Sequence, residues 1–231
     1  MKLPIPDFKP IETLAIQRLG SLNELKQQFH LVRSQSELQA VTNDRWLSDL
    51  SRRVFQAGFN WSVINRKWPD FEIVFDGFDL HRWAHMSDAD FDRLYAEPRI
   101  VRHARKILSV RDNAVFLLDL VEAHGSVGQF IADWPADDII RLIWLLRKHG
   151  AGVGLNAAQA FLRGMGKDTF MLTRDTMTAL IREGVFDQYT RREMPTAKRD
   201  WQIAQQVFLH WQQQTGYTLS QLSQITAFSL Q

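Results

Sequence analysis

Apolar residues recur at intervals of three and four along most of this chain, and the alternation typical of strands is nearly absent. This spacing places apolar side chains on one face of a helix, where they can pack together. It predicts a long helix over 99–122 and shorter helices over 14–31, 36–41, 126–131, 137–148, 157–163, 200–214 and 219–228. The pattern therefore predicts an all-α fold without internal repeats.

Capping residues predict the limits of the helix that follows. Asn43 or Asp44 is expected to cap a helix that continues to Ala57, because both side chains can accept a hydrogen bond from a first-turn amide. Gly58 should end this helix, since glycine readily adopts the backbone conformation of a helix C-terminus.

Two further signals predict helix limits in the next part of the chain. Pro69 cannot continue a helical hydrogen-bond ladder, so a helix over 60–67 should stop before it and a separate turn should cover 70–75. Ser87 precedes several acids, which is typical of a capped helix start.

The N-terminal residues differ in character from the rest. Residues 1–10 contain three prolines and should form an extended arm. We therefore divide the chain into an N-terminal arm and helix over 1–40 and a helical domain over 41–231, whose hairpin covers 148–157.

Composition excludes several classes of protein. The net charge of +2 does not by itself indicate a nucleic-acid partner, and the absence of cysteine excludes disulfides and thiolate zinc sites. No apolar run reaches the roughly 18 residues needed to span a bilayer, so we expect a cytoplasmic protein without a membrane partner. Positive charge does cluster weakly, at Arg99, Arg102, His103, Arg105, Lys106 and Arg111.

Histidines give no clear metal site. His81 and His85 have the spacing of two ligands on one helix face, but no third ligand is apparent in the sequence. We therefore expect surface histidines, no metal and no cofactor.

Three alternating glycines, Gly150, Gly152 and Gly154, separate two helical segments. A turn of this kind can expose backbone amides beside the N-terminus of the next helix, and such amides bind a phosphate group. Lys148 before the turn and Asn156 after it would add side-chain donors. The alternative is a glycine-rich turn that only connects packed helices.

Aromatic residues accompany the basic cluster. Trp61, with Phe55, Phe59 and Trp46, could form a pocket for a base that is taken out of a duplex, because bases stack on aromatic rings. Trp68 is a further wall candidate. The alternative for each ring is a place in the hydrophobic core.

Several motifs resemble the 3-methyladenine DNA glycosylase I family of helix-hairpin-helix DNA glycosylases. The similarity is clearest over 44–114 and extends to about 176. It rests on Gln56-Ala-Gly-Phe-Asn-Trp61, Phe75-Asp-Gly-Phe-Asp79, Met86-Ser-Asp-Ala-Asp90, Ile100 to Ala114 and Leu145 to Asn156.

The resemblance implies two helical lobes with a cleft between them, double-stranded DNA with a damaged base as the partner, and a monomer. It also implies excision of an alkylated purine such as 3-methyladenine, with Trp61 stacked on the extruded base.

The chain departs from the family pattern at two places. A family glutamate that binds the base corresponds to Arg53, which cannot accept hydrogen bonds. The family's zinc site lacks its cysteines here, and Thr176 stands at the position of one zinc-binding histidine. The resemblance is therefore to a divergent branch without zinc.

Residues of the hairpin and of the helix after it indicate which reaction the chain would catalyse. Related bifunctional enzymes carry a lysine in the hairpin, whereas this chain has Ala151, Val153 and Leu155, which favours a monofunctional hydrolase. Thr173 or Asp175 should open the next helix, and in many relatives an aspartate there stabilises the cationic sugar. Asp175 could instead only interact with the helix dipole.

Two other functions remain open. A protein that kept the fold but lost the pocket would bind DNA or sense damage without catalysis, and Arg53 favours that reading. A helical interaction scaffold with no DNA partner is compatible with the small net charge.

Overall fold

A computed structural model describes residues 5–186, 188–189 and 193–230. These residues form helices and connections with no strand, so the all-α prediction is confirmed. The helices are α1 (Lys9–Leu19), α2 (Leu22–Gln27), α3 (Gln35–Gln39), α4 (Asn43–Gln56), α5 (Trp61–Val74), α6 (Leu80–Ala84), α7 (Asp88–Ala96), α8 (Ala104–His124), α9 (Val127–Asp133), α10 (Ile139–His149), α11 (Leu155–Gly164), α12 (Arg174–Arg182), α13 (Lys198–Thr215) and α14 (Leu219–Phe228).

The chain divides into two units. Unit 1 comprises 1–32, 135–140 and 168–231, and unit 2 comprises 33–134 and 141–167. In unit 1, α14 packs against α1, α12 and α13. Aromatic rings fill this core, with Phe8 against Trp211 at 5.1 Å and Phe170 against Phe208 at 4.7 Å between centroids.

Unit 2 is built around α4. This helix packs against α5, α8 and α11, and the ring of Trp46 meets Phe161 edge-on at 5.7 Å between centroids. A row of stacked rings lies beside α4 and consists of Trp68, Phe71, Phe75 and Phe78. Burial of these apolar faces stabilises the unit by roughly 25 cal/mol per Å² removed from water.

The N-terminal helices differ from the prediction. The segment 14–31 is not one helix, because Gly20 adopts a φ of 97° and ends α1. The hydroxyl of Ser21 then accepts from the amide of Glu24 and begins α2. Helix α1 starts at Lys9, so the expected extended arm covers less than 1–10; residues 1–4 lie outside the described residues.

The start of α4 also differs slightly. Thr42 is the N-cap, and neither Asn43 nor Asp44 holds that position. The Asn43 side chain instead accepts a hydrogen bond from the Val127 amide at the start of α9. The predicted end is confirmed within one residue, since α4 ends at Gln56.

The predicted stop before Pro69 is wrong, because α5 continues through this proline. Losing a helical hydrogen bond at an internal proline costs about 3 kcal/mol. Trp68, Phe71 and Val74 are buried on one face, so the packing of the second half of α5 outweighs this cost. Ser87 caps α7 as predicted, with Asp90 completing a capping box.

The long helix predicted over 99–122 is shorter at its start. Residues 101–103 are not helical, and α8 begins at Ala104 with His103 as its N-cap. Ile100 is nevertheless buried, so this connection contributes an apolar side chain to the core. Among the described residues, no single helix has the length and apolar character to cross a bilayer; only α8 and α9 together, bent by 69°, meet that test.

Candidate functional site

The glycine turn joins α10 to α11. Gly152 has a φ of 74°, and a Cβ added there would lie 3.0 Å from Cγ1 of Val54. A Cβ on Gly150 would lie 2.6 Å from the carbonyl oxygen of Leu146. Both positions therefore require glycine, the first for its conformation and both for close packing.

The start of α11 is open to solvent. Gly154 is the N-cap and has no side chain, so no cap hydrogen bond forms there. Gly152, Gly154 and Asn156 are exposed. Backbone amides at an uncapped helix start remain available to an anion, and the helix dipole favours negative charge there.

Asn113 holds the turn in place, and sequence reasoning did not single out this role. Its side chain is fully buried, donates to the Ala151 carbonyl at 3.0 Å and accepts from the Ala151 amide at 2.8 Å. The Ala151 amide is therefore engaged and does not face a phosphate. The sequence could have indicated this role, because Asn113 is a polar residue among Val110, Ala114 and Leu117 on the inward face of α8, and a buried polar side chain needs a hydrogen-bond partner.

The basic cluster is partly neutralised. Arg99 pairs with Glu97, and Arg111 pairs with the neighbouring Asp112. Arg102 and Arg105 are exposed and make no ion pair within the described residues. They are the members of the cluster whose charge is available to a partner.

Lys106 has a local structural role. Its ammonium donates to the carbonyls of Phe55 and Ala57 at the C-terminus of α4, and it lies 4.4 Å from the centre of the Phe59 ring. Burial lowers the pKa of Lys106. This cation therefore fixes the connection between α4 and α5.

That connection exposes two aromatic rings. Phe59 is 40% exposed and Trp61 is 51% exposed, whereas most large apolar side chains described in unit 2 are buried. Gly58, with a φ of 74°, turns the chain before Phe59, and the Asn60 side chain accepts from the Ser62 amide to cap α5. Both rings are accessible to a base.

Trp46 and Phe55 are not accessible. Both are fully buried; the Trp46 indole donates to the Val41 carbonyl, and Phe55 packs edge-on against Phe71. These two rings belong to the core, so the structure corrects their expected place in the pocket wall. They face inward because α4 turns its apolar side toward the rest of unit 2.

Arg53 does not share a helix face with Trp61. The two residues belong to separate helices, because 57–60 is a connection. The Arg53 guanidinium donates to both carboxylate oxygens of Asp49, at 3.0 and 3.1 Å, and lies against Gly164, where a Cβ would clash with it. Its charge is therefore compensated on its own helix.

The described residues of unit 2 also form a cavity of about 440 Å³. Its wall contains Ser48, Asp49, Arg52, Trp68 and Glu72 among others, and neither Trp61 nor Phe59 lines it. The Trp68 indole donates to Ser48 and to Glu72, at 3.2 and 3.1 Å. No sequence motif indicated this cavity, because its wall comes from distant segments.

Asp175 lies in unit 1, in the first turn of α12, and its side chain is exposed. Thr173 is the N-cap and accepts from the Thr176 amide at 3.2 Å, so Thr173 opens the helix. Thr176 is buried. A catalytic role for Asp175 stays a prediction.

The two spaced histidines do not lie on one continuous helix. His81 belongs to α6, whereas His85 follows its end and contacts the His81 carbonyl at 2.8 Å. Across 5–186, 188–189 and 193–230, no three His, Asp or Glu side chains are grouped as metal ligands. The expected absence of a metal stays a prediction.

Residues 39–143 match the family model of methyladenine glycosylases. The chain resembles the methyladenine glycosylase family. The matched segment contains α4, α5 and the exposed rings of Phe59 and Trp61, and it ends before the glycine turn.

Solved structures extend the likeness of fold to the rest of the chain. An 8-oxoguanine DNA glycosylase from Methanocaldococcus jannaschii is 16% identical with a TM-score of 0.58, covering 94% of this chain and 89% of that chain. One from Thermotoga maritima is 13% identical with a TM-score of 0.52, covering 94% of both. A mutant of 3-methyladenine DNA glycosylase I from Staphylococcus aureus is 20% identical with a TM-score of 0.51, covering 64% and 89%.

These likenesses agree on one fold. The chain has the fold of helical DNA glycosylases, and the family match supports a DNA glycosylase of base excision repair.

Proposed function

We propose that this chain hydrolyses the N-glycosidic bond of an alkylated purine, such as 3-methyladenine, in double-stranded DNA. The single observation that carries the proposal is the pair of exposed rings, Phe59 and Trp61, inside the segment that matches the methyladenine glycosylase family. An extruded base stacked on Trp61 would gain roughly 1–3 kcal/mol. A purine made cationic by alkylation stacks better and is also a better leaving group.

We propose that the glycine turn binds the DNA backbone, in the manner of a helix-hairpin-helix. The amides of the exposed residues Gly152, Gly154 and Asn156 would bind one phosphate, with the side chains of Asn156 and Lys148 as further donors. Arg102 and Arg105 supply further exposed positive charge. Contacts to the phosphate backbone do not depend on the base sequence, as a repair enzyme requires.

Asp175 is the proposed catalytic carboxylate. As the base leaves, the bond from C1′ to the base nitrogen breaks, the electron pair departs with the base, and positive charge develops on the sugar. A nearby carboxylate stabilises that charge, and the oxygen of an attacking water then bonds to C1′. The water loses one proton to solvent and keeps the other as the C1′ hydroxyl, while the cationic purine departs as a neutral base. Ala151, Val153 and Leu155 supply no amine, so we propose a monofunctional enzyme.

The pairing of Arg53 bears on both candidate functions. Because Asp49 compensates its charge, Arg53 does not present a free cation to an alkylated purine. The same pair leaves no free carboxylate at the family's base-binding position, and this observation favours the alternative, a DNA-binding or damage-sensing protein without catalysis. We further propose a cytoplasmic monomer that needs no cofactor or membrane.

Two assays on the same protein separate these possibilities. Release of free base from alkylated duplex DNA, followed by chromatography, tests the enzyme, and Ile73→Ala is a matched control for Trp61→Ala because Ile73 is also exposed on α5. Binding to duplex DNA at several salt concentrations tests the alternative. Salt-dependent binding without base release over a panel of lesions would reject the enzyme and retain the sensor. No binding at low salt would reject both.

A further inference from the structure

The cavity in unit 2 is distinct from the exposed aromatic rings. It is bounded by the first three turns of α4, the second half of α5 and the end of α11. Its polar lining includes Arg33, Arg45, Ser48, Asp49, Arg52 and Glu72. A volume of about 440 Å³ falls in the range of small-molecule sites, which is roughly 300–1,000 Å³.

Glu72, one of the two carboxylates in this wall, already has its hydrogen bonds. It accepts from both terminal nitrogens of Arg45, at 2.9 Å each. It also accepts from the Ser48 hydroxyl and the Trp68 indole. Glu72 therefore has little capacity left to bind a cation or a donor from outside.

Asp49 is engaged in the same way. It is 5% exposed and accepts from Arg52 and, through both oxygens, from Arg53. A carboxylate that already accepts from two guanidinium groups has little capacity left to bind a further cation. Among the described residues of the wall, neither Asp49 nor Glu72 is thus free to bind a cation.

Unused donors remain in the wall. Arg52 uses one terminal nitrogen on Asp49, while its Nε is buried and has no partner within the described residues. Arg33 uses one terminal nitrogen on the Met165 carbonyl, at 2.9 Å. A buried N–H without an acceptor is unfavourable, and an oxygen from a ligand would relieve that cost.

The charges in the cavity wall also favour an anionic ligand. Three guanidinium groups, those of Arg33, Arg45 and Arg52, face two carboxylates in the wall, and Arg53 adds a further cation on Asp49. A planar guanidinium donates two parallel hydrogen bonds to carboxylate or phosphate oxygens, and phosphate takes several such bonds at once.

We propose that this cavity binds the phosphate group of a nucleotide through Arg33 and Arg52. The volume exceeds what a lone phosphate needs and leaves room for the attached sugar. A free nucleoside monophosphate and a nucleotide of bound DNA share this chemistry. The site does not depend on base excision.

The test is a titration of the full chain, in low-chloride buffer, by calorimetry or NMR. The probes are inorganic phosphate, deoxyadenosine monophosphate and an undamaged DNA duplex. The variants are Arg33→Gln and Arg52→Gln, and Arg66→Gln is the control because Arg66 is exposed on α5 outside the cavity. Circular dichroism verifies folding. If Arg52→Gln does not fold, Arg52→Lys is used in its place, because this change keeps the positive charge and removes the Nε donor.

We expect phosphate and the mononucleotide to bind the wild-type chain and the control alike, and to bind both cavity variants at least about tenfold more weakly. Weakening only of duplex binding would assign the phosphate to DNA. Equal binding of all probes by wild type and cavity variants, or no binding of any probe, would overturn the proposal. Base release is measured in parallel, so a chain that binds nucleotide in an Arg52-dependent way but releases no base would retain the cavity and reject the proposed function.

Discussion

Replacing Asn113 by alanine should loosen the glycine turn without touching any exposed residue. The change removes two hydrogen bonds to Ala151, of 3.0 and 2.8 Å, from a fully buried side chain. Each bond contributes about 1 kcal/mol net, and an unpaired buried group costs about 1–3 kcal/mol. Because Ala151 is half-buried, water can reach part of its backbone. We therefore expect a loss of about 2–3 kcal/mol in the free energy of unfolding.

Urea unfolding measures this loss as a lower midpoint at an unchanged slope. Asp112→Ala is the matched control, since Asp112 is the neighbouring residue, is exposed and pairs with the adjacent Arg111; its effect should stay within about 0.5 kcal/mol. Duplex affinity should fall with Asn113→Ala, because the amides of the turn are no longer held in one arrangement. If Asn113→Ala matches the control in both stability and DNA affinity, the turn is not held by this side chain.

Gly152→Asp should lower duplex affinity at least about tenfold, and a folded variant with wild-type affinity at low salt would refute phosphate binding at the turn. Trp61→Ala should abolish base release but leave duplex binding largely intact, so undiminished release would remove Trp61 from the pocket. Asp175→Asn should reduce excision by on the order of 10²–10³; unchanged excision, with about 0.3–1 kcal/mol lost in stability, leaves only a helix-dipole role. Dialysis against a chelator should change neither folding nor base release, whereas one zinc per chain by elemental analysis would contradict the metal-free site.

Local signals in the sequence predicted much of the helical framework. Ser87 with Asp90, and Thr173, cap helices where expected, because a cap depends on residues within one turn. Pro69 misled the prediction because distant contacts decide whether a helix survives an internal proline. Burial of Trp68 and Phe71 is such a contact, and it cannot be read from the neighbouring sequence.

The site was harder to predict than the helices. Periodicity could not separate the buried Phe55 from the exposed Phe59, because α4 ends between them and the helical spacing stops there. The pairing of Arg53 with Asp49 was readable, since residues four apart on a helix are neighbours. The cavity was not readable, because its walls come from segments far apart in the chain.

The most direct test of the central claim is single-turnover release of base from alkylated duplex DNA by the wild-type chain. We expect free 3-methyladenine to appear above the spontaneous rate, leaving abasic DNA that is not cleaved until alkali is added. Release no faster than in a protein-free control, with duplex binding intact, would contradict the account and leave a DNA-binding protein with the glycosylase fold.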